Sequence, residues 1–195
     1  MSCFTCLANC IATKIVLLAN CCIEKLLYCC NIVFGMEKFC SIVKSPVGDV
    51  IILADENAVN EVTFHAKEIN GLTENTISQL AAKEIESYFV GNLTTFSFPI
   101  LQSGTDFQQQ VWKNLLSIPY GETISYSKFS AHQPLAIRAI AAANGKNNIA
   151  IAVPCHRVIG SDGKLVGYAG ELWRKKWLLQ HEREVAQKGQ TELKF

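Results

Sequence analysis

The sequence predicts an α+β protein in two parts, a small sheet-and-helix domain followed by a helical domain with a helix-turn-helix layout. Three observations predict it. Short apolar runs alternate with turn residues from Phe39 to Phe64. Apolar residues then recur at near-helical spacing from Ile77 to Phe89. From Gly104 the periodicity turns helical again, punctuated by Pro119 and Pro134.

The elements follow in order. Phe39 to Val43 reads as a strand, Ser45-Pro46-Val47-Gly48 as a turn, and Val50 to Ala54 as a second strand. Asp55-Glu56-Asn57 turns again into Val59 to Phe64, which completes a three-strand meander. Ile77, Leu80, Ala81, Ile85, Tyr88 and Phe89 define a helix, and Gly91 suits its end. Phe96 and Phe98 flank Ser97 in a further expected strand closed by Pro99. His65 has no catalytic partner in this part and reads as a surface or core residue. In the second part, Phe107, Val111, Trp112, Leu115 and Leu116 line one face of a helix stopped by Pro119. A short helix is expected near Tyr126 to Ala131, and another from Pro134 through Ala143, capped by Asn144-Gly145. Two short helices joined by a tight turn are the helix-turn-helix layout. The second is built from small residues with one large charged side chain, Arg138. That composition suits either tight internal packing or close approach to another surface.

The 195 residues hold 18 Lys or Arg and 17 Asp or Glu, a formal charge of +1, and about half are apolar. This supports a folded core and argues against a disordered chain. No apolar run approaches the ~20 residues that cross a bilayer, so no membrane association is expected. The neutral total conceals unlike parts. Residues 36–103 hold four basic and nine acidic residues, whereas residues 104–195 hold twelve basic and seven acidic. A basic half beside an acidic one suits a polyanion partner, or arises by chance. Seven of the nine cysteines precede residue 35, the eighth is Cys40 and the ninth is Cys155. A disulfide scaffold would spread them through the fold it staples. Residues 1–35 lack the basic start of a signal peptide, and Cys3-x-x-Cys6 has no second pair at zinc spacing. The division expected is therefore a Cys-rich extension at 1–35, a first domain at 36–103 and a second at 104–195. Met36 is expected to be the true start, the alternative being a real anchor, metal-binding or regulatory leader. No metal and no other cofactor is expected.

The chemistry concentrates at Pro154-Cys155-His156-Arg157-Val158, after the apolar run Ile149 to Val153, which reads as a strand. Positive neighbours lower a thiol's pKa and favour the nucleophilic thiolate. In extended backbone adjacent side chains point to opposite faces, so His156 would reach the Cys155 sulfur through a water. A histidine acting in that way needs an orienting carboxylate, and Glu182 is a candidate. On residue types alone, the pair fits a reactive thiol or a buried structural cysteine equally.

Pro154-Cys155-His156-Arg157-Val158-Ile159-Gly160 closely resembles the active-site signature of the O6-alkylguanine-DNA alkyltransferases, also called methylated-DNA–protein-cysteine methyltransferases. The resemblance extends through Phe107-Gln108-Gln109-Gln110-Val111-Trp112, Tyr120-Gly121-Glu122-Thr123-Ile124-Ser125-Tyr126 and Arg138-Ala139-Ile140-Ala141-Ala142-Ala143-Asn144. Gly167-Tyr168-Ala169-Gly170 and Lys176-Trp177-Leu178-Leu179-Gln180-His181-Glu182 complete it in order. It is strong over residues 104–183, fair over 36–103, where Ser45-Pro46-x-Gly48 takes part, and does not touch 1–35.

The resemblance implies an N-terminal domain of ribonuclease H-like shape and a C-terminal winged-helix domain. It implies stoichiometric, irreversible repair of double-stranded DNA, in which Cys155 takes the alkyl group from O6-alkylguanine, with O4-alkylthymine as a second substrate. His156, through water and backed by Glu182, would draw the thiol proton. Tyr126 would donate toward the guanine ring, and Asn147 would brace the active-site turn. Arg138 would fill the space left by a flipped nucleotide, with Ala136, Ala139 and Ala142 seating the helix in the minor groove. Val158, Tyr168 and Ala169 would hold the base. A cytoplasmic monomer is expected.

Three departures stand out. Asn148 replaces the proline that usually follows the bracing asparagine, which predicts a looser turn. Residues 129–133 are shorter than usual, which predicts a displaced Arg138 or a shorter first helix. Glu171 replaces a glycine and would place a negative charge near the pocket mouth. A DNA-binding relative without repair activity would lack Cys155. A cysteine hydrolase would need an oxyanion hole, and a plain winged-helix regulator leaves the cysteine motif unexplained.

Overall fold

The first strand, β1 (Phe39–Ser45), pairs antiparallel with β2 (Gly48–Ala54), and β2 pairs with β3 (Val59–Thr63) to give a meander in chain order. This is a computed structural model, and it describes residues 37–65 and 67–191. The Cys-rich segment 1–35, its Cys3-x-x-Cys6 motif and the expected start at Met36 lie outside the described residues. Val43, Val50, Ile52 and Val62 are buried at 1% exposure or less, together with the inner face of α1 (Thr76–Phe89). Period two in the strands meets period 3.6 in the helix there. Asn75 caps α1, accepting from Ser78 N at 2.8 Å, while Ser78 Oγ returns the favour to Asn75 N at 3.1 Å.

Residues 96–98 are not a strand, contrary to the alternating pattern. Pro99 has no N–H to continue a ladder. The chain instead touches β3 at one bridge, where Val59 N donates to Pro99 O at 2.8 Å and Leu101 N donates to Val59 O at 2.9 Å. Ser97 turns to α1, and both its N–H and its hydroxyl bond the Glu84 carboxylate.

The second part begins with α2 (Asp106–Leu115), capped by Thr105. Val111, Trp112 and Leu115 are buried, whereas Phe107 and Leu116, expected on the same face, are exposed. After the short β4 (Ile124–Ser125) come the single-turn α3 (Tyr126–Phe129) and a 3-10 turn at Pro134–Ala136. The helix α4 (Ile137–Gly145) then runs through Asn144-Gly145, so these residues do not cap it, and Lys146 takes that position. Trp112 Nε1 donates to Ala143 O at 2.9 Å and fastens α2 to α4.

The expected strand at 149–153 is a series of tight turns. Ile149 bridges to Val62, Val153 N donates to Ile149 O at 3.1 Å, and Ile151 sits at φ 69°. A β-branched residue there is strained, and its fully buried side chain holds it in place. Cys155–Arg157 form a 3-10 turn, β5 (Val158–Ile159) pairs parallel with β4, and α5 (Leu172–Thr191) follows. One continuous core joins β1–β3 and α1 to α2, α4 and α5 through Tyr88, Leu115, Ile140, Ile149 and Leu178. Among the described residues, no helix is long and apolar enough to cross a membrane.

Candidate active site

The strained turn at 149–153 delivers Cys155 to the floor of a cavity of about 250 Å³. Asn144, Asn147, Phe64, His65, Tyr168 and Ala169 are among its lining residues. Cys155 and Cys40 are both buried free thiols. Asn147 Nδ2 donates to Cys155 Sγ at 3.1 Å, to Val153 O at 2.9 Å and to Ile149 O at 3.2 Å. Burial pushes the Cys155 thiol pKa up, and the Asn147 bond and the Lys175 charge oppose that rise. The expected help from a positive neighbour in sequence is therefore corrected. Arg157 points away, with Nε donating to Glu182 Oε2 at 2.8 Å and Nη1 to Ile118 O at 2.7 Å.

His156 is fully buried, and its Nε2 donates to Glu182 Oε1 at 2.8 Å. The bond to a carboxylate sets the donor nitrogen, which leaves Nδ1 as the ring's other site. Nδ1 is buried without a hydrogen-bond partner, and no bond joins the His156 and Cys155 side chains. The reason is the 3-10 turn rather than the extended backbone expected. Glu182 also accepts from Arg157 Nη2 at 3.0 Å, Tyr88 Oη at 3.0 Å and Gly121 N at 3.1 Å. Burial alone would raise its pKa, but His156 and Arg157 hold the carboxyl well below the usual range.

Tyr126 Oη accepts from Asn144 Nδ2 at 2.7 Å, and its pKa is raised by burial. Tyr126 and Val158 are not among the residues that line this cavity, although Tyr126 bonds Asn144, which is. Val158 O and Val166 O accept from the buried Lys175 Nζ at 2.7 and 2.8 Å. Burial lowers the Lys175 pKa to about 8. Tyr168 Oη is buried without a partner. Ala169 O accepts from His65 Nε2 at 2.9 Å, so His65 reaches the pocket loop from the first half of the chain. Gly170 permits that loop to close, since a Cβ there would come within 2.7 Å of Tyr168 and 2.8 Å of Phe64.

Arg138, Ala139 and Ala142 are exposed on α4, while Ala136 is half-buried. The three departures have structural outcomes. Asn148 N donates to Gln102 Oε1 at 2.9 Å, so the turn is tied rather than loose. The first helix of the helix-turn-helix is a single turn. Glu171, at φ 71°, pairs with Arg174 at 3.3 Å and accepts from Trp173 Nε1 at 2.8 Å.

Sequence reasoning missed Tyr88, Gln102, Asn144 and Lys175. Each is a common polar residue whose partners no local pattern marks, 94 positions away for Tyr88 and 45 for Gln102.

Two family models match: 6-O-methylguanine DNA methyltransferase, ribonuclease-like domain, over residues 38–102, and the DNA-binding domain of the same family over residues 106–184. The chain belongs to the 6-O-methylguanine DNA methyltransferase family. It is 42% identical over 149 residues to a methylated-DNA–protein-cysteine methyltransferase of Methanosarcina barkeri, covering 72% of this chain and 94% of that one. A relative of the same name from Mycobacterium leprae is 41% identical, covering 74% and 92%. Among solved structures, the Mycobacterium tuberculosis O6-methylguanine methyltransferase superposes with a TM-score of 0.68 at 40% identity, covering 75% of this chain and 93% of that one. The M. tuberculosis OGT in complex with DNA gives a TM-score of 0.68 at 39% identity, covering 75% and 94%. The fold is a ribonuclease-like domain followed by a DNA-binding domain. The activity is DNA repair by transfer of an alkyl group to a cysteine of the protein itself, with DNA as its partner.

Proposed function

We propose that Cys155 is the alkyl acceptor and that the substrate is O6-alkylguanine in double-stranded DNA, with O4-alkylthymine as a second lesion. Residues 36–103 serve as the scaffold domain, and residues 104–195 carry the DNA surface and the active site. Arg138 enters the stack as the damaged nucleotide flips out, and Ala136, Ala139 and Ala142 seat α4 in the minor groove. Tyr168, Ala169 and the backbone at Val158 border the flipped base.

In the transfer, the Cys155 sulfur attacks the alkyl carbon, an S–C bond forms and the C–O6 bond breaks. The thiol proton passes through a water to His156 Nδ1, while Glu182 holds the ring at Nε2. The electron pair released at O6 is taken up by the purine ring, where the Tyr126 hydroxyl donates against the growing negative charge. The ring keeps that proton, and the one held at His156 returns to Tyr126. The products are guanine and a thioether. Nothing in the scheme regenerates the thiol, so each molecule acts once. The protein works as a monomer and in the cytoplasm, the latter a reading that two free thiols among the described residues support.

The observation that carries this reading is one buried thiol, Cys155, that accepts from an amide donor, Asn147 Nδ2, at 3.1 Å and is followed in the chain by a histidine bound to Glu182 at 2.8 Å. Intact-mass measurement after incubation with duplex DNA containing O6-methylguanine tests it. One methyl per molecule is expected, on Cys155, and none on Cys155→Ala. Multiple turnover, or repaired DNA with an unmodified Cys155, would overturn it.

A further inference from the structure

Gln102 lies in the segment between the two halves of the chain, outside any helix or strand, yet only 7% of it is exposed. Both ends of its amide reach the residues just before the active-site turn. Nε2 donates to Asn147 Oδ1 at 3.2 Å, and Oε1 accepts from Asn148 N at 2.9 Å. Its own carbonyl is held by Gln109 Nε2 of α2 at 2.6 Å.

These bonds set which end of Asn147 faces the sulfur. Asn147 Oδ1 accepts from Gln102 Nε2 and from Ile149 N at 3.1 Å. Rotating the carboxamide by half a turn would set its NH2 against those two donors. It would also set its oxygen against Cys155 Sγ and the carbonyls of Ile149 and Val153. With the oxygen clamped, the NH2 must face Sγ, where an N–H donor favours thiolate over thiol. Asn148 adds a second link. A proline there would carry no N–H, whereas Asn148 offers one and Gln102 accepts it.

We propose that Gln102 is a positioning residue for alkyl transfer, clamping Asn147 Oδ1 and Asn148 N so that Asn147 Nδ2 donates to the developing thiolate of Cys155. The proposal rests on Cys155 being the alkyl acceptor. A residue of the inter-domain segment thereby tunes the nucleophile through one intermediary.

The test uses the full chain with Gln102→Leu, and Gln102→Met as a second uncharged variant should the first not fold. Two quantities are read: the pH midpoint of Cys155 alkylation by iodoacetamide, located by peptide mass mapping, and the single-turnover rate of methylation by O6-methylguanine duplex. The expected result is a higher pH midpoint and a methylation rate lower on the order of tenfold, with unchanged affinity for undamaged duplex. A variant that melts at lower temperature but keeps the wild-type midpoint and rate overturns the proposal, because Gln102 would then only fasten backbone. If wild-type protein takes no methyl on Cys155, the functional reading fails instead, and the iodoacetamide midpoint still reports whether Gln102 acts on the thiol.

Discussion

Asn144 gives the Tyr126 hydroxyl its direction. Its Nδ2 donates to Tyr126 Oη at 2.7 Å and also to the Cys155 carbonyl at 3.4 Å. The carbonyl contact fixes the amide orientation, so Oη accepts from Asn144 and its own proton is free for another acceptor. Asn144→Leu keeps much of the volume and removes the donor. Its methylation rate is expected to fall on the order of tenfold, and the loss should not add to that of Tyr126→Phe in a double-mutant cycle. Additive losses would reduce Asn144 to a packing residue. The sequence displays Cys155, His156 and Glu182 because residue type and motif announce them. Nothing in its spacing announces Asn144, 18 positions from Tyr126, or Tyr88, 94 positions from Glu182. Their meaning comes from long-range folding. Arg157 shows the converse, since its charge is plain in sequence but its direction, toward Glu182, is not.

At the scale of elements, α4 is presented rather than buried. Ile140 and Ala143 pack inward, and the bond from Trp112 to Ala143 O fixes the helix on α2, leaving Arg138, Ala139 and Ala142 outward. Arg138 makes no hydrogen bond or ion pair with the described residues, so its guanidinium is available to a partner. Arg138→Ala is expected to slow repair of O6-methylguanine in duplex by about a hundredfold, of the size a lost charge-assisted contact allows. Reaction with the free modified base should change far less, because no nucleotide has to leave a stack. Equal losses on the two substrates would remove base extrusion from the role of Arg138. The meander at 39–63 is legible because alternation and turn residues agree. The segments at 96–98 and 149–153 carry similar apolar patterns and are not strands. In the first, Glu84 captures Ser97 and Pro99 ends any ladder. In the second, tight turns and the positive φ of Ile151 redirect the chain toward Cys155. Local pattern cannot reveal a backbone bent for a site.

For the molecule as a whole, Glu182 is where the proposed catalytic geometry and stability coincide. Its carboxylate joins Tyr88 of the first half to Gly121, His156 and Arg157 of the second, with no solvent exposure. Glu182→Gln keeps the size of the side chain but leaves Arg157 buried without its counter-ion, which destabilises the fold by about 3–5 kcal/mol at neutral pH. The pH dependence has a definite sign. The folded-state pKa of Glu182 lies below its unfolded value near 4.5, so the folded form binds fewer protons. Its stabilising contribution is fully present above the unfolded value and is lost as pH falls toward the folded one. The gap between wild type and Glu182→Gln should therefore be widest near pH 7 and should narrow below about pH 4.5, as read by denaturant unfolding across that range. A gap that stays constant down to pH 3 would mean that Glu182 is not the ionised centre joining the two halves. The variant should also lose methylation at pH 7 under conditions where it remains folded, because the carboxylate that orients His156 is the one that pairs with Arg157.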